Sequence, residues 1–189
     1  MLAAFYLILC YLLGSIPTGV IVATMTSNVD VRSQGSGNIG ATNVTRVLGR
    51  SHGAFTLVGD LGKGLFAVGI AHWVQPSPTY LALAALAVFT GHCWSAYLAF
   101  RGGKGVATAA GAMLAIAPVP TFLAATAWML TYMYGGHRAS KASLVAAALL
   151  PVLLMVNQPD AVWIALGLGM GVALRHRENI HRLRTGREV

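Results

Sequence analysis

The stretch Val106–Tyr134, VATAAGAMLAIAPVPTFLAATAWMLTYMY, is apolar for 29 residues and has a basic connection at each end. Gly102-Gly103-Lys104-Gly105 precedes it, and His137-Arg138-Ala139-Ser140-Lys141 follows it. Short connections rich in Lys and Arg stay on the cytoplasmic side of a bilayer. Both ends of the stretch are therefore expected on that side, and the segment has to cross an even number of times. A hairpin turning at Ala117–Pro120 meets this condition, with Pro118 and Pro120 breaking the helix. At 1.5 Å per residue each arm is only about 20 Å long, short enough for the hairpin to be shallow or partly re-entrant.

The same reasoning orders the rest of the chain. Of 189 residues, 56% are hydrophobic and 10% charged, and the mean hydropathy is +0.67. Soluble domains carry roughly 25% charged residues, so the composition indicates one membrane-embedded domain, residues 1–189. The runs Leu2–Met25, His52–Trp73, Thr79–Phe100, Ala142–Val156 and Ala161–Leu174 are expected to be helices. With the hairpin they make an all-α, polytopic fold of about seven transmembrane helices, or five full spans and a hairpin. Pro17 is expected to kink the first run near its far end. That run has no preceding cation of a signal peptide and is read as a retained helix.

Thirteen Lys and Arg stand against five Asp and Glu. They lie in the polar island 26–50, at the entrance of the second run, in the glycine-lysine stretch, in the 137–141 island and in the tail. The turns at 75–78 and 157–160 have none. This distribution puts the N-terminus outside and the C-terminus in the cytoplasm. It also makes membrane lipids and anionic substrates the expected partners, not nucleic acid.

Three islands carry the chemistry. In Phe100-Arg101-Gly102-Gly103-Lys104-Gly105, the glycines allow backbone N–H groups to approach an oxyanion, beside the lysine and the start of a helix. Ser36-Gly37-Asn38-Ile39-Gly40-Ala41-Thr42-Asn43, with Arg46 following, is dense in small hydrogen-bonding groups. A helix starting near Ala41 would set Asn43 and Arg46 on one face, where Arg46 could clamp a phosphate or carboxylate. In the tail, His176 and Asn179 share one helix face, and Glu178 and Arg182 are spaced to pair on another. Asp60 and Lys63, one turn apart, read as a structural pair, and His92 as a helix-contact hydrogen bonder. Cys10 and Cys93 read as packed hydrophobes. There is no metal-ligand cluster and no cofactor signature. Such islands bind anions and stabilise developing negative charge. An anion or phosphate-ester transporter is the alternative, but the polar motifs gather on one face and no inverted repeat is visible.

The three motifs, in order, resemble those of the bacterial membrane acyl-phosphate:glycerol-3-phosphate acyltransferases. The residues that carry the resemblance are Ser36 to Asn43 with Arg46, Gly91-His92 leading to Phe100-x-Gly-Gly-Lys-Gly-Val-Ala-Thr108, and His176-x-x-Asn179-Ile180-x-Arg182-Leu183-x-x-Gly186-x-Glu188. Gly14-Ser15-Ile16-Pro17 and Asp60-x-x-Lys63-Gly64 are similar as well. The resemblance implies an enzyme of the bacterial inner membrane whose site faces the cytoplasm. It would transfer a fatty acyl group from acyl phosphate to the sn-1 hydroxyl of glycerol 3-phosphate, giving lysophosphatidate and phosphate. By position it implies Ser36, Arg46, Lys104, His176 and Asn179 as the catalytic set. Gly37, Asn38, Thr42, Asn43, Gly102, Gly103, Gly105 and Ser143 are the candidates for binding substrate or phosphate. Ser143 matches a serine the family keeps after its sixth-helix loop, although Gly136-His137-Arg138 departs from the usual sequence there. His92 is followed five residues on by Tyr97, so the His-x4-Asp pair of other glycerolipid acyltransferases is absent. Acyl phosphate, an activated anhydride, lowers the demand for a strong base. With no carboxylate or metal-ligand cluster in the islands, the reaction is expected to need neither metal nor dedicated base, His176 being the competing candidate.

Overall fold

The computed structural model describes residues 1–27 and 29–188, and the side chain of Asn157 lies outside that description, as do Asn28 of the first island and Val189 of the tail. Pro17 divides the first apolar run into two helices, α1 (Leu2–Ser15) and α2 (Thr18–Ser27). The expected kink is therefore a break, because proline has no N–H to continue the ladder. After the first island come α3 (Ala41–Leu48) and α4 (Arg50–Val74), separated by Gly49 at φ +94°, a value that suits glycine. Ser77 caps α5 (Pro78–Cys93) by accepting from Tyr80 N–H, and a short 3₁₀ turn (Ala96–Leu98) follows. The 106–134 stretch forms α6 (Val106–Ile116) and α7 (Pro118–Tyr134), which meet at Ala117. Then come α8 (Ala139–Asn157), a second 3₁₀ turn (Pro159–Ala161), α9 (Val162–Arg175) and α10 (Arg177–Arg184). Among the described residues there is no strand.

Four helical runs are long and apolar enough to cross a membrane: Leu2–Ser27, Arg50–Val74, Pro78–Leu98 and Ala139–Val156. The helix Val106–Ile116 is apolar but short. Its C-terminal Ile116 nevertheless shares a cavity of about 360 Å³ with Pro78, Gln158 and Asp160, the two cation-free turns. The end of the first hairpin arm therefore lies beside those turns.

Close backbone approach organises the interior. A Cβ on Gly64 would sit 2.1 Å from the Thr108 carbonyl oxygen, and one on Gly111 would sit 1.9 Å from that of Leu61. These contacts lock α4 against α6. Without water to drive side-chain burial, membrane helices associate through such small-residue van der Waals packing. The core is correspondingly rich in small and medium side chains such as Ala67, Val68, Ala84, Val88 and Ala112. Large side chains, among them Phe55, Phe66, Phe122, Met155 and Trp163, point outward. That inversion marks a surface made for lipid.

Candidate active site

The first island folds around Asn43. Its side chain lies in the first turn of α3, where Nδ2 donates to the Val31 and Gln34 carbonyls at 3.0 and 3.1 Å. Asn43 Oδ1 accepts from Ser36 N–H at 2.8 Å. Gly35, at φ +59°, passes so near that a Cβ would lie 2.3 Å from Asn43 Oδ1. Asn38 Oδ1 accepts from Gly40 N–H at 2.9 Å and turns the chain into α3. Asn43 and Asn38 are therefore committed to shaping the loop. Asn43 is buried, whereas Ser36, Gly37, Thr42 and Arg46 are exposed. α3 does start at Ala41, so Asn43 and Arg46 stand one turn apart as expected, but Asn43 is spent on the loop and buried while Arg46 is exposed.

The glycine-lysine loop is held from both sides. Gly102 N–H donates to the Cys93 carbonyl at 3.2 Å and Gly103 N–H to the His92 carbonyl at 3.0 Å. These two donors, expected to meet an oxyanion, are spent on the end of α5. From the other side Arg175 donates Nε–H to the Gly103 carbonyl at 3.0 Å and an Nη2 hydrogen to the Gly102 carbonyl at 3.1 Å. Its guanidinium also lies 5.3 Å from the Trp94 ring centre, within cation–π range. Gly105, at φ +77°, ends the loop and starts α6, whose first N–H groups have no partner within the helix.

Lys104 is left facing the tail. Its Nζ donates to Asn179 Oδ1 at 2.6 Å. Asn179 Nδ2 in turn donates to Glu188 Oε1 at 2.6 Å, which also accepts from Ser140 Oγ at 2.6 Å. Arg182 Nε donates to Glu188 Oε2 at 2.8 Å. Arg182 thus pairs with Glu188 and not with Glu178, because the turn at Gly186 (φ +69°) folds the tail back over α10. Burial alone would raise the Glu188 carboxyl. The hydrogen bonds from Ser140, Arg182 and Asn179 outweigh it and hold the group at about 2. Burial lowers the Lys104 ammonium, opposed by the charge of Glu188. Among the described residues no carboxylate forms an ion pair with Lys104.

His176 is the junction between α9 and α10. Nδ1–H donates to the Val172 carbonyl at 2.8 Å, and burial pushes the ring down to about 4, so the imidazole is neutral near pH 7. That tautomer leaves Nε2 as an acceptor. Ser143 faces α7 instead of the lysine network: its hydroxyl donates to the Ala139 carbonyl at 2.8 Å and accepts from Trp128 Nε1 at 3.0 Å. Ser140, one turn earlier, makes the contact with Glu188.

The structure brings together Lys104 and Asn179, with His176 on the same helix junction. The first island meets the lysine loop across a cavity of about 450 Å³, lined by Asp30, Arg32, Ser33, Gly37, Ile39, Leu98, Arg101 and Gly102. Ser36 and Arg46 do not bond to the lysine network directly. Arg175, Ser140 and the role of Glu188 escape local sequence reading, since each partner lies 48 or more positions away or across a turn. Among the described residues no group of three or more His, Cys, Asp or Glu side chains is placed to hold a metal ion. Asp60 and Lys63 do pair, at 2.9 Å.

The family model for glycerol-3-phosphate acyltransferase matches residues 4–186. A glycerol-3-phosphate acyltransferase of Geotalea daltonii is 46% identical over 180 residues, covering 94% of this chain and 92% of the relative. The corresponding protein of Pseudomonas aeruginosa is 44% identical over 181 residues, covering 96% and 95%. Two crystal structures of PlsY, an integral membrane glycerol 3-phosphate acyltransferase, superpose with a TM-score of 0.93, covering all of this chain and 95% of theirs. One is the glycerol 3-phosphate form at 37% identity, the other the lysophosphatidic acid form at 36%. A match over nearly the whole chain, in sequence and in backbone, shows that this chain belongs to the glycerol-3-phosphate acyltransferase family of integral membrane enzymes.

Proposed function

We propose that this protein transfers a fatty acyl group from acyl phosphate to the sn-1 hydroxyl of glycerol 3-phosphate, the first acylation of bacterial phospholipid synthesis. The observation that carries the reading is Lys104. A partly buried ammonium whose hydrogen-bond partner is a neutral amide is a cation prepared for an incoming anion. It stands at the N-terminus of α6, whose free N–H groups add partial positive charge. Lys104 and this helix end hold one phosphate, and the exposed Arg46 with Ser36 holds the other across the intervening cavity.

The hydroxyl oxygen of glycerol 3-phosphate attacks the acyl carbonyl carbon, and the bond from that carbon to the phosphate oxygen breaks. The products are lysophosphatidate and inorganic phosphate. The hydroxyl proton ends on the departing phosphate, which needs no dedicated enzymic base, and no metal or cofactor takes part. Neutral His176 and Asn179 orient the ends of this network.

The cationic loops meet at one end of the bundle, and the positive-inside rule places that end in the cytoplasm. Seven crossings follow, made by α1–α2, α4, α5, α6, α7, α8 and α9, with the N-terminus outside and the enzyme in the inner membrane. Single cysteines at Ser77 and Gln158, in a background lacking Cys10 and Cys93, should react with an impermeant reagent from outside. Cysteines at Ser51 and Thr185 should not, and the reverse pattern would invert the topology.

The decisive experiment incubates the purified protein with glycerol 3-phosphate and either palmitoyl phosphate or palmitoyl-CoA. Lysophosphatidate should form with the acyl phosphate only. Product from the CoA ester alone would replace the donor, and no product from either would remove the activity.

A further inference from the structure

The interior of the bundle holds a buried ionic cluster that the transfer chemistry leaves unused. Asp60 and Lys63 on α4 and His92 in the last turn of α5 are 2%, 5% and 4% exposed. Lys63 Nζ lies 2.9 Å from Asp60 Oδ1, 2.7 Å from His92 Nδ1 and 3.1 Å from the Ile16 carbonyl oxygen, at the proline break between α1 and α2. An ammonium has three donors and no lone pair; it donates to His92 Nδ1 and the Ile16 carbonyl, with Asp60 beside it as counter-ion. His92 Nδ1 is then the acceptor, and the proton of the neutral ring sits on Nε2.

Buried ion pairs are weak sources of stability, because the desolvation of both charges offsets their attraction. Charged groups inside a membrane are costly and are found where they do something specific. What this one touches lies across the imidazole. The His92 carbonyl accepts Gly103 N–H at 3.0 Å. A Cβ built on Gly103 would stand 2.2 Å from His92 Nε2 and 3.1 Å from both neighbouring ring carbons. The ring edge fills the space a Gly103 Cβ would need, and Lys63 holds the ring at Nδ1.

We propose that Asp60, Lys63 and His92 are positioning residues for Lys104: the ion pair fixes the His92 ring, and the ring with its own carbonyl sets where Gly103, and so the next residue, stands. The inference rests on the reading of Lys104 as a phosphate-binding group. It makes the meeting of α1–α2, α4 and α5 a condition for a correctly placed lysine loop.

The test compares the wild type with Gly103→Ala, His92→Asn and the double variant, measuring kcat, KM for each phosphate substrate and the melting temperature. Asparagine keeps an acceptor for Lys63 where Nδ1 stood, but its side chain ends before the position of Nε2. Gly103→Ala should raise KM for at least one phosphate substrate by about tenfold or more, and the double variant should return to within about threefold of the wild type. A merely structural role would lower the active fraction and the melting temperature with KM unchanged. An unchanged KM in Gly103→Ala, or a double variant as impaired as the product of the singles, would overturn the proposal. Should Gly103→Ala fail to fold in detergent, recovery of folded protein in the double variant supports the contact, and no recovery overturns it. A wild type inactive with acyl phosphate would sink the transfer reading instead, and the melting temperatures of the same set would then decide the contact.

Discussion

The loop before α3 and the loop before α6 are both short, polar and rich in glycine, yet they are held in opposite ways. The first is stitched to itself: Asn43 reaches Ser36, Gln34 and Val31, at most 12 positions away. The second is held by distant partners: Arg175 lies 72 and 73 positions from the glycines it grips, and Asn179 lies 75 from Lys104. The side-chain hydrogen bonds of the first loop are local, with Val31 packed against Ala23 of α2, and its outer side chains stay exposed. The lysine loop exists only once α5, α6, α9 and α10 have closed around it, so its geometry is set before any substrate arrives. If both loops bind substrate as proposed, the lysine loop enters binding preorganised and the ordering cost falls on the first loop.

The largest expected effect breaks the preorganised half. Lys104→Ala should lower turnover by about 10²–10³-fold, the usual cost of deleting one fixed electrostatic contact, with the protein still folded in detergent. Lys104→Arg should also be impaired, because a wider planar fork replaces a compact ammonium between two tethered glycines. Near-normal rates in either variant would take the lysine out of the site.

The adapting half should separate activity from stability. Ser36→Ala and Arg46→Ala, both at exposed positions, should cut kcat/KM by about tenfold or more while the melting temperature stays put. Asn43→Ala removes three hydrogen bonds to loop backbone and should cost about 1–3 kcal/mol, read as a lower melting temperature. Equal melting for all three would show that the loop does not depend on its own stitching.

Acid should loosen the preorganised half first. Glu188 is held at about 2, below its ordinary 4.5, and His176 at about 4, below its ordinary 6.5. Both folded values are depressed, so both contributions are complete above the unfolded values and are lost as pH falls through the folded ones. Stability should decline from about pH 6.5 towards 4 through His176, and from about 4.5 towards 2 through Glu188. Melting curves of the wild type and Glu188→Gln should converge in the lower window, and parallel curves would contradict the carboxylate network. The smallest effect is expected at His176. His176→Gln should retain roughly a tenth or more of the rate with an unchanged pH profile, and a thousandfold loss with the neutral limb gone would make it the base.

The parts of this molecule that could be read from the chain are those written in local periodicity and composition. The helical runs, the division at Pro17 and the turn ahead of Pro118 depend on residues within a few positions of each other. So do the start of α3 at Ala41 and the start of α6 beyond Gly105. The three motifs also proposed where the site lies, and two of them, at Lys104 and Asn179, meet in the fold. What could not be read depends on contacts between segments far apart in sequence. The Gly102 and Gly103 N–H groups looked free because α5 was not yet beside them. Arg175 looked like one more basic tail residue until it met Trp94. Glu178 is spaced to reach Arg182 on a helix, but the turn at Gly186 delivers Glu188 to it instead.

One of the shortest apolar helices, α6, is also enclosed along its whole length. Not one residue from Val106 to Ile116 is exposed, and α4, α5, α7 and α9 all contact it. At 11 residues it is about 17 Å long, far below the ~30 Å of a hydrocarbon core. Hydrophobic mismatch acts on helices that meet lipid, by tilting them or deforming the bilayer around them. A helix sheathed in protein escapes that constraint, so its length answers to the lysine loop at one end and the Ala117 turn at the other. Changes in membrane thickness therefore act on the outer spans and reach Lys104 only second-hand, through the glycine contacts that tie α6 to α4.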